Sequence, residues 1–158
     1  KTMVYCAARN GNYDVYAMST NGGDEIRLTS TDGLDDGPEY SPDGKYIYIN
    51  SYRSGMMQIW RMKADGADPE QMTFDNYSNW FAHIAPNNNV ATIITYLEDQ
   101  AQAHPFGRQI KLRLLDLKTK KIKDLTEAFY GGQGTINVPS WSPDGKKFAY
   151  VRYALEDL

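Results

Sequence analysis

Pro38-Glu39-Tyr40-Ser41-Pro42-Asp43-Gly44-Lys45 decides the fold, because the chain repeats it. It returns as Pro139-Ser140-Trp141-Ser142-Pro143-Asp144-Gly145-Lys146, and in degraded form as Ala82-His83-Ile84-Ala85-Pro86-Asn87-Asn88-Asn89. Proline presets φ at the first turn position, Asp bonds back to its own backbone, and Gly accepts positive φ. Alternating apolar residues flank each copy, so each is read as the hairpin between two strands.

Working outward, Lys1 to Asn10, Tyr13 to Ser19 and Glu25 to Thr29 read as strands separated by Gly11-Asn12 and Asn21-Gly22-Gly23. The pattern then restarts with Tyr46 to Tyr52, Met57 to Lys63 and Gln71 to Phe74. Lys1 pairs with Lys45, Gly11 with Gly55, Met18 with Met62 and Thr29 with Thr73, each 44 residues apart. A third unit follows with Val90 to Tyr96, Ile110 to Leu117 and Lys123 to Thr126. Its spacing stretches because Leu97–Arg108 and Glu127–Asn137 are longer than the matching turns. A fourth unit begins at Val138, with a second strand over Lys146 to Arg152.

A period near 44 with four short strands per unit predicts an all-β protein, a β-propeller of four-stranded blades. A β-sandwich would lack the fixed repeat. The blades are expected at about 1–29 (partial), 30–73, 74–126 and 127–158 (partial), about 3.6 in all. Residue 1 aligns with the middle of a hairpin, and a native protein should not expose two bare strand edges. The reading is therefore a segment cropped from a six- to eight-bladed propeller, with an open arc or closure by a partner strand as alternatives.

Composition narrows the function. Of 158 residues, 41% are hydrophobic and 13% aromatic, enough for a packed core. Net charge is −3 with Lys and Arg scattered, so no nucleic-acid partner is expected. No apolar run reaches membrane-span length, so no membrane span is expected. The single Cys6 lies mid-strand and reads as a small buried hydrophobe. No Gly-x-Ser-x-Gly elbow is present, no helix is expected after Gly131-Gly132-Gln133-Gly134, and no catalytic residue is assigned. Asp35-Asp36 and Asp43 read as turn residues, since they lack the spacing of a calcium loop.

Tyr40 to Ser51, Gln58 to Gly66 and Gln71-Met72-Thr73 resemble the TolB-type propeller repeat, over essentially the whole chain. The resemblance implies blade architecture and says little about activity. It also implies a periplasmic or otherwise exported protein that binds or scaffolds other proteins. Similar blades occur in oligogalacturonate lyases and in propellers that gate peptidase domains, which leaves a metal-dependent lyase, or a propeller gating a peptidase outside this segment, as alternatives.

The two enlarged loops should emerge on one face, joined there by Asp75–Trp80, and loops on a rigid scaffold carry binding sites. Trp80, His83, His104, Phe106, Arg108, Tyr130 and Gln133 are the candidate binding residues, the loop aromatics and Arg suited to a protein partner or to stacking on carbohydrate. The alternative for Trp80, Phe106 and Phe129 is gap-filling between blades. His83 is expected on an innermost strand facing the channel. There it is a structural hydrogen-bonding residue, or with His104 and Gln133 the ligand of a divalent metal; no cofactor is otherwise expected.

Overall fold

The computed structural model describes residues 1–154; the tail of the fourth unit, 155–158, lies outside the described residues. Among the described residues the chain is all strand and turn, arranged as blades of a β-propeller. The first sheet runs β1 (Thr2–Ala8), β2 (Tyr13–Ser19) and β3 (Ile26–Arg27). The second runs β4 (Asp35–Tyr40), β5 (Tyr46–Ser51), β6 (Gln58–Lys63) and β7 (Glu70–Gln71). The third runs β8 (Ser78–Ile84), β9 (Val90–Tyr96), β10 (Phe106–Asp116) and β11 (Ile122–Asp124), with β12 (Phe129–Gly132) added beside β10. Every pairing between them is antiparallel.

The repeated turn closes as its residues dictate. Gly44 and Gly145 donate N–H bonds to the carbonyls of Ser41 and Ser142, both at 2.8 Å. Asp43 and Asp144 accept from the Ser41 and Ser142 hydroxyls and from the N–H groups of Lys45 and Lys146. Those bonds hold both carboxyls below the usual carboxylate range, with the serine hydroxyl the larger cause. In the third unit Asn87 takes the Asp role and Asn88 the Gly role, at φ 60° against 70° for Gly44. Asparagine tolerates this left-handed conformation better than most residues.

A second repeated device ties the third strand of each blade to its outer edge. Thr29, Thr73 and Thr126 use their hydroxyl oxygens to accept the N–H of Val15, Ile59 and Leu112, at 2.9, 2.9 and 3.1 Å. The core lies between blades. Val15, Ile47, Ile49 and Met62 pack the first pair, and Tyr48, Ile59, Met72, Ile84, Ile93 and Leu115 the second. Each fully buried side chain of this size contributes about 1.5–3 kcal/mol, so face-to-face packing outweighs any single turn.

Both complete innermost strands carry a bulge at the same repeat position. Gly37 sits there at φ 59° in β4, and Phe81 at φ 52° in β8. A bulky residue in this region costs roughly 1–2 kcal/mol. Asn50, fully buried on β5, steadies the second bulge by accepting the Phe81 N–H at 2.8 Å.

Three expectations are corrected. Lys146 to Arg152 forms no ladder strand; Trp141 and Phe148 make one isolated bridge. Among the described residues no third strand lies outside that hairpin, and an unsupported two-stranded pair is marginal. Residues 129–132, read as loop, form β12, and β10 begins at Phe106 rather than Ile110. The paired glycines explain the miss, because Gly131-Gly132 carries no strand propensity of its own.

Candidate functional site

The two enlarged loops meet because they zip together. β10 extends past the end of β9, and its first residues pair with β12: Phe106 with Gly132, Arg108 with Gly131, Gln109 with Tyr130 and Ile110 with Phe129. Gly107, at φ 77°, makes the bulge between Phe106 and Arg108. The result is a raised ledge on the face where these loops emerge.

Close backbone approach fixes the ledge. A Cβ at Gly132 would lie 2.1 Å from the Pro105 carbonyl oxygen. That oxygen accepts from the Gln133 N–H at 3.2 Å and from the Tyr96 hydroxyl at 2.9 Å. Thr135 closes the turn, accepting from the Gly132 N–H and donating its own N–H to the Gly132 carbonyl. Burial drives the Tyr96 phenol well above its ordinary pKa, so it stays a hydroxyl donor.

The candidate residues divide into three groups. Phe106, Arg108, Tyr130 and Gln133 share the ledge. Phe106 is 53% exposed and stands edge-on to Tyr130 and Tyr153, with ring centroids 6.3 and 4.7 Å away. Arg108 is exposed and donates from Nε to Gln100 Oε1 at 3.2 Å. Gln133 is exposed at the tip.

Trp80 and His104 form a second group beneath. Trp80 has no exposed surface, so it fills a gap between blades and cannot touch a ligand without rearrangement. His104 stands edge-on to Trp80 and Phe81 at 4.7 and 5.0 Å, with Nε2 3.8 Å from Asp36. The insertion also reaches the preceding blade, where Gln102 Oε1 accepts the Leu34 N–H at 2.7 Å.

His83 stands apart. Its Nδ1 lies 2.6 Å from Glu39 Oε2, and its Nε2 meets the Ile136 carbonyl in a short contact. Glu39 Oε1 accepts the Ile84 N–H, and the Trp141 indole donates to the His83 carbonyl. His83 thus ties together the inner strands of successive blades. Both ring nitrogens lie against protein oxygens, so the ring is held between neighbouring blades rather than turned toward open space. Among the described residues no group of three or more His, Cys, Asp or Glu gathers as a metal would need. Glu39 is the partner the sequence reading missed, although it occupies the same repeat position as His83, 44 residues earlier. Equivalent positions on neighbouring inner strands face each other, and that was the available signal.

The TolB beta propeller domain family matches residues 1–137. An uncharacterized protein of Agrobacterium fabrum is 44% identical over 97% of this chain and 52% of its own length. The structure of a candidate TolB from Agrobacterium tumefaciens superposes at TM-score 0.91 and 42% identity, over 99% of this chain and 56% of that one. TolB from Acinetobacter baumannii does so at TM-score 0.69 and 25% identity, over 92% of this chain and 33% of that one. The chain therefore spans about half the length of the curated relative it matches.

Proposed function

The chain belongs to the TolB β-propeller family, and from that premise we propose that it is part of an exported, non-catalytic propeller of the cell envelope that binds a protein partner through the ledge. The observation that carries this reading is the zipped pair of enlarged loops. It holds an exposed Phe106 beside Tyr130, Tyr153 and Arg108 on a backbone that cannot easily relax. Aromatic and Arg side chains are the composition of protein hot spots, and a support already ordered before contact lowers the entropy lost on binding. Family membership supports the partner class and the periplasmic setting.

The test is alanine substitution of Phe106, Tyr130 and Arg108 in the intact protein, with partner binding measured beside circular dichroism. Binding weakened tenfold or more with unchanged spectra supports the ledge. Binding unchanged in all three removes it as the contact surface.

A further inference from the structure

On the opposite face, where the Pro-Asp-Gly hairpins emerge, a cleft of about 310 Å³ opens between the second and third blades. Tyr46, Tyr48, Arg61, Asn88, Asn89, Leu117 and Lys118 line it. The internal repeat supplies its own control. The matching groove between the first and second blades, of about 500 Å³, is lined by Lys1, Thr2, Thr20, Tyr40, Gly44 and Ala64.

Counting back 44 residues makes the difference explicit. Tyr46 replaces Thr2, Tyr48 replaces Val4, Arg61 replaces Ala17, Asn88 replaces Gly44 and Asn89 replaces Lys45. The registers agree, since Val4 pairs with Ala17 as Tyr48 pairs with Arg61. A propeller needs no aromatic or guanidinium side chain at these positions, as its own first groove demonstrates. The second carries two phenols, a guanidinium and two amides instead.

The chemistry of the lining is specific. Arg61 lies over the Tyr46 ring at 4.6 Å, and Glu70 engages its Nε and Nη2, leaving Nη1 outside that pair. Lys118 adds a cation at the rim, and Lys120 a second nearby through its 2.7 Å contact with Glu70. Against Glu70 and Asp116 the local balance is net positive. Asn88 stands at a turn position where the sister hairpins use glycine, and its Oδ1 is shut off from solvent, and so from the cleft, with no hydrogen-bond partner. A buried oxygen without a donor is a cost the fold avoids at Gly44 and Gly145. The phenol rings and Leu117 form an apolar wall.

We propose that this cleft binds a small organic carboxylate with an apolar remainder. The carboxylate faces Arg61 and Lys118, and the remainder lies along the tyrosine wall. Two sources share this chemistry, a free α-amino acid and the C-terminus of a peptide. The site is independent of the ledge, which is on the other face.

The experiment is amide NMR titration of the intact protein with L-leucine, N-acetyl-L-leucine and L-leucinamide. Saturable shifts at Asn88, Asn89 and Lys118 are expected with a carboxylate-bearing probe and not with the amide. Shifts from N-acetyl-L-leucine alone identify a peptide terminus; shifts from L-leucine identify a free amino acid. Arg61→Ala should abolish saturation. No saturable shift with either acid, equal binding of the amide, or saturable shifts retained in Arg61→Ala would overturn the proposal.

Discussion

Gly132→Ala is the substitution whose effect is most fully set by geometry. The added methyl carbon would lie 2.1 Å from the Pro105 carbonyl oxygen and 3.0 Å from the Tyr96 hydroxyl. The first of these is backbone and cannot swing away. The residue also sits at φ 117°, where a side chain is strained whatever the space. Strain of this kind costs about 1–3 kcal/mol and overpacking a similar amount, so the ledge should lose about 3–5 kcal/mol of local stability. That exceeds the worth of the bonds meeting at Pro105, each about 1 kcal/mol. The ledge should therefore open while the blades stay closed. Gly131→Ala is the graded control, since its nearest neighbour is the tip of the Ile110 side chain at 2.7 Å, which can move. Hydrogen exchange followed by mass spectrometry should show protection lost across 106–110 and 129–135 in Gly132→Ala, and only partly in Gly131→Ala. Protection in those segments equal to wild type would refute the claim that this close approach fixes the ledge.

Other outcomes follow from the same structure. Burial, assisted by the nearby Asp36 carboxylate, pushes the Cys6 thiol up to about 12; iodoacetamide at pH 8 should label it at least ~100-fold more slowly in the folded protein than in denaturant. Glu70 is held below its ordinary value by the hydrogen bond from Lys120 and then by Arg61. Its contribution is complete above the ordinary glutamate range and lost as pH falls through the lower folded value. Urea melts of Glu70→Gln and wild type should therefore differ at pH 7, by less than ~1 kcal/mol given the pair's exposure, and converge near pH 3. Arg113 is buried against Asp75, Thr95 and Asn79. Arg113→Ala strands their acceptors and should cost about 3–5 kcal/mol in chemical denaturation.

The blade architecture was legible because its cause is local and repeated. A Ser-Pro-Asp-Gly turn closes on its own atoms, so Ser41–Lys45 and Ser142–Lys146 announce hairpins without reference to the rest of the fold. Strands bounded by short local turns, Tyr13–Ser19 and Val90–Tyr96, match the sequence reading to the residue. The ledge was half legible. Repeat arithmetic puts both enlarged loops on one face, but their pairing through Gly131 and Gly132 depends on backbone approach that no side-chain pattern encodes. The fate of individual candidates was hidden for a related reason. Trp80 and Phe106 look alike as aromatic residues on the loop side, yet one is wholly buried and the other half exposed. Depth within a blade interface is set by neighbours from another repeat, as His83 and Glu39 also show.

The central claim is that the ledge is the surface by which this propeller meets a protein partner. Photo-cross-linking tests it most directly, with benzoylphenylalanine placed in the intact protein at position 106 and, separately, at exposed position 45 in the hairpin on the opposite face. The account predicts a discrete protein adduct from position 106, lost when Arg108 is also replaced by alanine, and absent from position 45. No adduct at 106, or the same adduct from 45, would contradict it.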